Sequence, residues 1–309
     1  MAFRHFFIKA LLLVAVIVAV CVTILVALDE FGLFRSSKGR TIGIYTSERT
    51  AKYFLSMRYI PDNFDGLLIG PSLSDQLDTR EINTYKVYNL SLLGANAVEL
   101  DILVQNVLKR KPPKVVIICL DPFLLRDAEV RDARMTPRII WSAIGSNFMV
   151  EYYFKKIRKR LSGKKELFEY NSYGAASINE LPVEMVGKLI NDYASANKND
   201  QTPFLINQNA LDKLAHTIAT VRLSGAKVYA YYYPHPEQVY STSRYKYDLF
   251  RSRVSPMFRS DEVVIDFCSL KYKPFRENPA NYVDAAHISR QGAAFIVQEL
   301  NRELLQGLK

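Results

Sequence analysis

Short apolar runs and longer stretches with helical spacing alternate along most of the chain. Five runs predict β-strands: they occupy residues 66–70 (GLLIG) and 114–120, and begin at Lys86, Ala226 and Glu262. Each run is short, apolar and bounded by glycine, proline or charged residues, as strands buried on both faces are. Parallel neighbours need a crossover connection, and the helical patterns between the runs supply it. The pattern therefore predicts an α/β fold with a five-stranded parallel sheet.

The first apolar segment is much longer than these runs. It extends from Ala10 to Leu28 and is interrupted only by Thr23. At about 1.5 Å per residue, a helix of this length nearly crosses the hydrocarbon core of a bilayer. A cleaved signal peptide is the less favoured alternative, because no small-x-small cleavage site follows the run before Asp29 and Glu30. We expect one membrane-spanning helix, with the Cys21 thiol inside the membrane.

Basic residues flank this segment on both sides. Arg4 and Lys9 precede it, while Arg35, Lys38 and Arg40 follow it. The count of Lys and Arg therefore does not favour either orientation in the membrane, and such counts lose weight when a long domain follows the span.

The rest of the chain has the composition of one globular domain, with 49% hydrophobic residues in the whole sequence. Residues 1–30 are predicted to form a cytoplasmic tip and the membrane anchor. Residues 31–60, with glycines and scattered charges, are predicted to form a stalk that leads into a domain at 61–309. The connection at about 122–225 is too long for one crossover helix, and we expect it to form an inserted helical lid or subdomain.

A basic run lies within this insertion. The formal net charge of the chain is +10, and much of the excess comes from Lys155, Lys156, Arg158, Lys159, Arg160, Lys164 and Lys165. One interpretation is a solvated helix face. The other, for a protein tethered to a membrane, is attraction to anionic lipid headgroups or to an acidic glycan. No nucleic-acid-binding motif accompanies the run, so a nucleic-acid partner is not expected.

Two motifs far apart in the chain carry the candidate chemistry. Ser72 follows the first apolar run directly after a Gly-Pro turn, and Asp284 and His287 form an Asp-x-x-His motif near the C-terminus. A serine hydroxyl becomes a nucleophile when an imidazole takes its proton and a carboxylate orients that imidazole. The structural alternative for Asp284 is a cap of the helix predicted after it.

Further polar residues follow the other predicted strands. Gly94, Asp121 and His235 come after the second, third and fourth apolar runs, and ligands of parallel sheets bind beyond these carboxyl ends. Cys119 and Cys268 lie at strand ends, where a packed thiol is favoured over a disulfide. No spacing of His, Cys and Asp typical of a metal site occurs, so neither a metal nor another cofactor is expected.

The order of these blocks resembles the SGNH (GDSL-like) hydrolase superfamily, in particular its membrane-anchored bacterial branch associated with cell-envelope polysaccharide acylation. The matching pieces are LLIGPSLS, YNLSLLGAN, VVIICLDP and VDAAHIS. The resemblance implies a three-layer α/β/α, flavodoxin-like domain in which Ser72 is the nucleophile, His287 the base and Asp284 its partner. It also implies that the backbone N–H groups of Ser72 and Gly94 face the oxyanion, and that the domain lies outside the cytoplasm.

The chain departs from the family pattern at two positions. Pro71 stands where many members carry Asp, and Asp121 stands where the third block supplies an asparagine that donates to the oxyanion. A carboxylate cannot donate, and the loss of one oxyanion donor costs roughly 10²- to 10³-fold in rate. Asn96 is a possible substitute donor, and the alternative role for this residue is a helix N-cap.

These expectations define two candidate functions. The first is a serine ester hydrolase or O-acyltransferase of the bacterial plasma membrane that acts on an acyl-bearing envelope polysaccharide; transfer implies an acyl-donor partner in the membrane. The second is a non-catalytic scaffold or glycan-binding component of an envelope assembly complex, suggested by Asp121 and Pro71.

Overall fold

The computed structural model describes residues 2–132, 134–163, 168–200 and 202–307. All five apolar runs form strands of one parallel sheet, which confirms the predicted α/β fold class. In chain order the strands are β1 (Gly66–Ile69), β2 (Val87–Asn89), β3 (Val115–Leu120), β4 (Phe168–Tyr170), β5 (Ala176–Ile178), β6 (Lys227–Tyr232) and β7 (Val263–Asp266). The five-stranded sheet has the order β2-β1-β3-β6-β7, while β4 and β5 form a separate antiparallel pair.

Helices connect and flank these strands. The α-helices are α1 (Ala2–Leu28), α2 (Glu48–Met57), α3 (Tyr59–Asn63), α4 (Ser72–Asp75), α5 (Ala97–Arg110), α6 (Asn147–Ser162), α7 (Val183–Asn199), α8 (Gln208–Leu223), α9 (Glu237–Thr242), α10 (Arg244–Val254), α11 (Lys273–Glu277) and α12 (Arg290–Gln306). Short 3₁₀ helices occur at Thr79–Glu81, Pro122–Leu125, Pro137–Ile144, Ser255–Met257, Leu270–Tyr272 and Pro279–Asn281.

The hydrophobic core has two layers, one on each face of the sheet. Side chains alternate between the faces of a strand, so Val116 and Ile118 of β3 pack in the first core layer, whereas Ile117 packs in the second. Helices α5 and α8 contribute to the first core layer, and α7 and α12 to the second. Both faces are covered, which explains why the central strands are continuously apolar.

Helix α1 is apolar and exposed along almost its whole length. The segment Phe3–Leu28 is long and apolar enough to cross a membrane, a property that a signal sequence shares. The helix ends where Asp29 adopts a positive φ of 43°, and the buried Asp29 carboxylate accepts hydrogen bonds from the backbone N–H groups of Leu33 and Arg35. These bonds turn the chain sharply into the domain.

Residues 31–60, predicted as a stalk, instead pack into the domain. Phe31, Phe54 and Ile60 are buried in the first core layer, and α2 packs against α5. The glycines and charges suggested a linker, but the apolar side chains of α2 are buried in the first core layer. The domain therefore begins soon after α1 ends.

The segment at about 122–225 contains α6, α7 and α8 together with the pair β4 and β5. Helix α8 packs against α5 and β6 and serves as the crossover between β3 and β6. The segment contains three of the longer helices, and the β4–β5 pair is a feature that the hydrophobic pattern did not predict. Lys164 and Lys165 of the basic run lie outside the described residues.

Candidate active site

Ser72 is the first residue of α4, and only a two-residue turn separates it from β1. Gly70 allows this close approach, because a Cβ atom there would lie 2.6 Å from the Cβ of Cys119 on the neighbouring strand. Pro71 is extended and occupies the N-cap position of the short helix without a side-chain capping bond. The turn leaves the Ser72 side chain partly exposed at the carboxyl edge of the sheet.

His287 reaches this hydroxyl from the loop that precedes α12. Its Nε2 atom lies 3.0 Å from Ser72 Oγ, and its Nδ1 atom lies 2.9 Å from Asp284 Oδ2. A carboxylate only accepts hydrogen bonds, so Nδ1 carries the hydrogen and Nε2 is free to accept from the serine. The structure thus brings the three residues of the two motifs into one hydrogen-bonded chain.

Asp284 is held by its own loop. Its Oδ1 atom accepts from the backbone N–H groups of Ala286 and His287, each at 2.7 Å. Burial acts to raise the pKa of Asp284, but the hydrogen bonds and charge of His287, with the two backbone donors, outweigh it and lower that pKa. The N-cap of α12 is Ser289, so Asp284 does not have the helix-capping role that was the alternative for it.

A second histidine–carboxylate pair lies at the same edge of the sheet. His235 Nε2 is 2.5 Å from Asp121 Oδ2, and Asp121 Oδ1 accepts from the N–H of Phe123. Both side chains are buried, and the Nδ1 atom of His235 has no hydrogen-bond partner among the described residues. Asp121 thus stands directly after β3, and its carboxylate is committed to His235.

This pair lines a cavity of about 270 Å³ beside the His287 loop. Aromatic rings form much of its wall, and the lining residues include Phe123, Tyr193, Phe204, His235, Tyr247 and Ala286. The hydroxyl of Tyr233, the residue that follows β6, donates to the carbonyl of Ala286 at 2.6 Å, which joins the segment before His235 to the loop that carries His287.

The two expected oxyanion donors of the second block have different environments. Gly94 adopts a φ of +60° in the turn after β2, a conformation that favours glycine. Asn96 is the N-cap of α5: its Oδ1 accepts from the N–H of Glu99, and its Nδ2 donates to Asp127 Oδ1 at 2.6 Å and to the carbonyl of Glu129. Asn96 is buried and its amide is occupied, so the capping role is the one that the structure shows.

A buried charge cluster beneath α4 was not predicted. The ammonium of Lys52 donates to Glu48 at 2.9 Å, to Asp75 at 2.8 Å and to the carbonyl of Ser91 at 2.6 Å. Glu48 also accepts from the N–H of Leu93, the residue before Gly94. The cluster therefore joins the helix that begins at Ser72 to the Gly94 turn. The spacing of four between Glu48 and Lys52 was its only sequence signal.

Burial acts in opposite directions on the pKa values of Lys52 and Asp75. Burial acts to lower the pKa of Lys52, but the charges of Asp75 and Glu48 outweigh it and raise that pKa. Burial, with the nearby charge of Glu48, raises the pKa of Asp75 despite the attraction of Lys52.

In the part of the chain that the structure describes, no group of three or more His, Cys, Asp or Glu side chains could hold a metal ion. All three cysteines are free.

No protein-family model matches the chain, and no curated protein matches it. Among solved structures, the fold is similar to that of a Streptococcus pneumoniae protein provisionally described as a platelet activating factor. The TM-score is 0.46 at 11% sequence identity, and the match covers 83% of this chain and 91% of that one. The functional proposal therefore rests on the arrangement of Ser72, His287 and Asp284.

Proposed function

We propose that this chain is a membrane-anchored serine acyl-ester hydrolase or O-acyltransferase of the SGNH type. The observation that carries the proposal is the continuous relay from Ser72 Oγ through His287 to Asp284. The hydroxyl is partly exposed at the edge of the sheet, and the imidazole has the tautomer that accepts its proton.

The first half of the reaction acylates Ser72. His287 Nε2 takes the hydroxyl proton as Oγ attacks the ester carbonyl, and Asp284 stabilises the resulting imidazolium. The tetrahedral intermediate carries its negative charge on the former carbonyl oxygen, towards which the N–H groups of Ser72 and Gly94 are proposed to donate. The C–O bond of the ester then breaks, and His287 returns the proton to the departing alcohol.

The second half releases the acyl group. Water or a sugar hydroxyl gives its proton to His287 Nε2 and attacks the acyl carbon. The bond between that carbon and Ser72 Oγ then breaks, and His287 returns the proton to Oγ. Water as the acceptor gives hydrolysis, and a sugar hydroxyl gives transfer. Asp121 cannot donate to the oxyanion, so this proposal relies on backbone donors and predicts a slower enzyme than one with the asparagine, by roughly 10²- to 10³-fold.

The aromatic cavity is the proposed binding site for the group attached to the ester. Its volume of about 270 Å³ and its aromatic wall are suited to a sugar ring, and His235 Nδ1 offers a buried hydrogen-bond partner. An envelope polysaccharide as substrate, an acetyl group as the acyl unit and a domain outside the cytoplasm are supported by the sequence resemblance to the membrane-anchored SGNH branch.

Labelling with a fluorophosphonate probe tests the nucleophile. Purified full-length protein in detergent should be labelled, and Ser72→Ala should remove the label; Ser252→Ala, an exposed serine on α10, is the matched control and should be labelled like the wild type. Equal labelling of wild type and Ser72→Ala removes Ser72 as the nucleophile. The absence of any labelling, with no turnover of 4-nitrophenyl acetate, favours the non-catalytic scaffold that Asp121 suggests.

A further inference from the structure

Helix α6 presents an apolar stripe to the outside of the domain. Val150, Phe154, Ile157 and Leu161 lie at positions i, i+4, i+7 and i+11 and therefore share one helix face. Their exposed fractions run from 56% to 82%. The opposite face, with Phe148 and Tyr152, is already buried in the first core layer. The domain alone thus leaves this stripe, which we call the α6 stripe, uncovered.

The inner face of α6 packs where α1 ends. Lys156 Nζ forms an ion pair of 2.6 Å with Glu30, two residues after the end of α1. The ring of Phe31 lies 5.0 Å from that of Tyr152 and 5.8 Å from that of Phe148, measured between centroids. Helix α6 is therefore fixed at the level at which a membrane-spanning α1 leaves the bilayer.

A neighbouring element approaches α1 itself. The 3₁₀ helix Pro137–Ile144, which precedes α6, contacts α1, and Leu25 and Val26 near the end of α1 are half-buried. Trp141 of this 3₁₀ helix is 75% exposed. Tryptophan is enriched at the level of lipid headgroups, where its ring contacts both apolar chains and polar groups.

Basic residues accompany the α6 stripe. Helical geometry places Arg158 on one side of the stripe and Arg160 on the other, and both are exposed. Lys155 and Lys159 lie further round the helix, towards the face that packs on the domain; Lys155 pairs with Glu151 and Lys159 with Glu169. An apolar stripe bordered by basic side chains is typical of a helix that lies in the plane of a membrane interface.

We propose that α6 lies in the headgroup region of the bilayer that α1 crosses, with the α6 stripe inserted at the acyl boundary and its basic residues against anionic headgroups. An acidic glycan would engage the basic residues but would leave the four apolar side chains in water, so the stripe favours lipid. A second contact beside α1 fixes the rotation of the domain relative to the membrane. The proposal does not depend on catalysis by Ser72.

Tryptophan fluorescence tests this placement, because Trp141 is the only tryptophan in the chain. The full-length protein is placed in nanodiscs of phosphatidylcholine and phosphatidylglycerol, with or without bromine on the acyl chains. In a Trp141→Phe background, Phe154→Trp should lose at least half of its emission to brominated lipid. The unmodified chain, read through Trp141, should also be quenched, which keeps the test valid if the variant does not fold.

The matched control is Leu270→Trp in the same Trp141→Phe background. Leu270 is 84% exposed and lies beside Tyr272 of the second core layer, on the other side of the sheet from α6. We expect no quenching at this position. The proposal is overturned if brominated lipid quenches Phe154→Trp and Leu270→Trp equally, or if it quenches neither variant.

Two further measurements distinguish anionic lipid from an acidic glycan as the partner of the basic residues of α6. Replacing phosphatidylglycerol by phosphatidylcholine should reduce the quenching of Phe154→Trp, because the Arg and Lys side chains then lose their headgroup partners. Dextran sulfate added to the protein in detergent should leave the emission of Phe154→Trp unshifted. A blue shift with dextran sulfate, without quenching by brominated lipid, assigns the surface to an acidic glycan and overturns the proposal.

Discussion

The ammonium group of Lys52 lies 2.8 Å from the carboxylate of Asp75, and neither side chain reaches solvent. Asp75 is the last residue of the helix that begins at Ser72, so this ion pair fixes the proposed nucleophile to α2. Glu48 completes the cluster and holds the backbone beside Gly94 through the N–H of Leu93. The proposed nucleophile and one proposed oxyanion donor thus share one buried support.

Replacement of Lys52 by methionine should strongly destabilise the fold. The change leaves the carboxylates of Glu48 and Asp75 buried without a cation, which costs about 3–5 kcal/mol in comparable pairs. The free energy of unfolding, measured by urea denaturation of the full-length protein in detergent, checks this. Lys188→Met, at an exposed position of α7, is the control and should change it by less than about 0.5 kcal/mol. Similar stabilities for the two variants would show that the cluster is dispensable.

Asp284→Asn should preserve the fold and remove most of the activity. An amide at this position lets His287 adopt the wrong tautomer and cannot stabilise the imidazolium, and such a change costs roughly 10⁴-fold in kcat. His287→Ala should abolish turnover of 4-nitrophenyl acetate. Circular dichroism spectra that match the wild type are needed to interpret either loss. Retained turnover in His287→Ala would exclude this residue as the base.

The contribution of Asp284 to stability should depend on pH with a defined sign. Its pKa is lower in the folded chain than in the unfolded chain, so its stabilising effect is complete above the unfolded value, about 3.9, and is lost as the pH falls through the folded value. The stability difference between wild type and Asp284→Asn should therefore shrink on acidification from pH 5 to pH 2.5. Urea denaturation at several pH values measures it, and a difference that grows over this range would contradict the shift.

His235→Gln tests the aromatic cavity. The glutamine amide retains a donor towards Asp121 but lacks the buried, unpartnered Nδ1 that is proposed to bind the substrate, so the loss should be that of one hydrogen bond, about 1 kcal/mol or roughly fivefold. We expect the KM for glucose pentaacetate to rise by about this factor, and by less for 4-nitrophenyl acetate. His216→Gln, at a half-exposed histidine of α8 that pairs with the buried Asp101, should leave both values unchanged. A wild-type KM in His235→Gln would remove this residue from the binding site.

The local pattern was sufficient for most of the sheet. Runs such as GLLIG and VVIICL are short and continuously apolar because parallel strands are covered on both faces, and all five runs became strands. The hydrophobic pattern was misleading where a segment combines glycines and charged residues with core residues. Gly32, Gly39 and Gly43 suggested a stalk, yet Phe31 before them and Phe54 after them are core residues. The pair β4 and β5 is too short for any periodicity to reveal it.

The candidate site likewise has features that the sequence predicted and features that it did not. The motifs of Ser72 and of Asp284 with His287 were recognisable because each is local, and a position after an apolar run indicates the carboxyl edge of a sheet. The pairing of Asp121 with His235 was not recognisable, since each residue was interpreted alone at the end of its own strand. Lys52 fell within the predicted stalk and carried no signal beyond its spacing of four from Glu48, because sequence spacing does not report burial.

The sequence by itself determined the strands, their parallel arrangement, the long apolar helix at the N-terminus and the residues that end each strand, because hydrophobic periodicity and turn chemistry are local properties. Only the tertiary structure decided that Lys52 pairs with Asp75 at the end of α4, that Asp121 is committed to His235, and that the outer face of α6 stays uncovered next to the end of α1. These relationships join segments far apart in the chain, and they depend on the order of strands in the sheet and on which helix face the core covers.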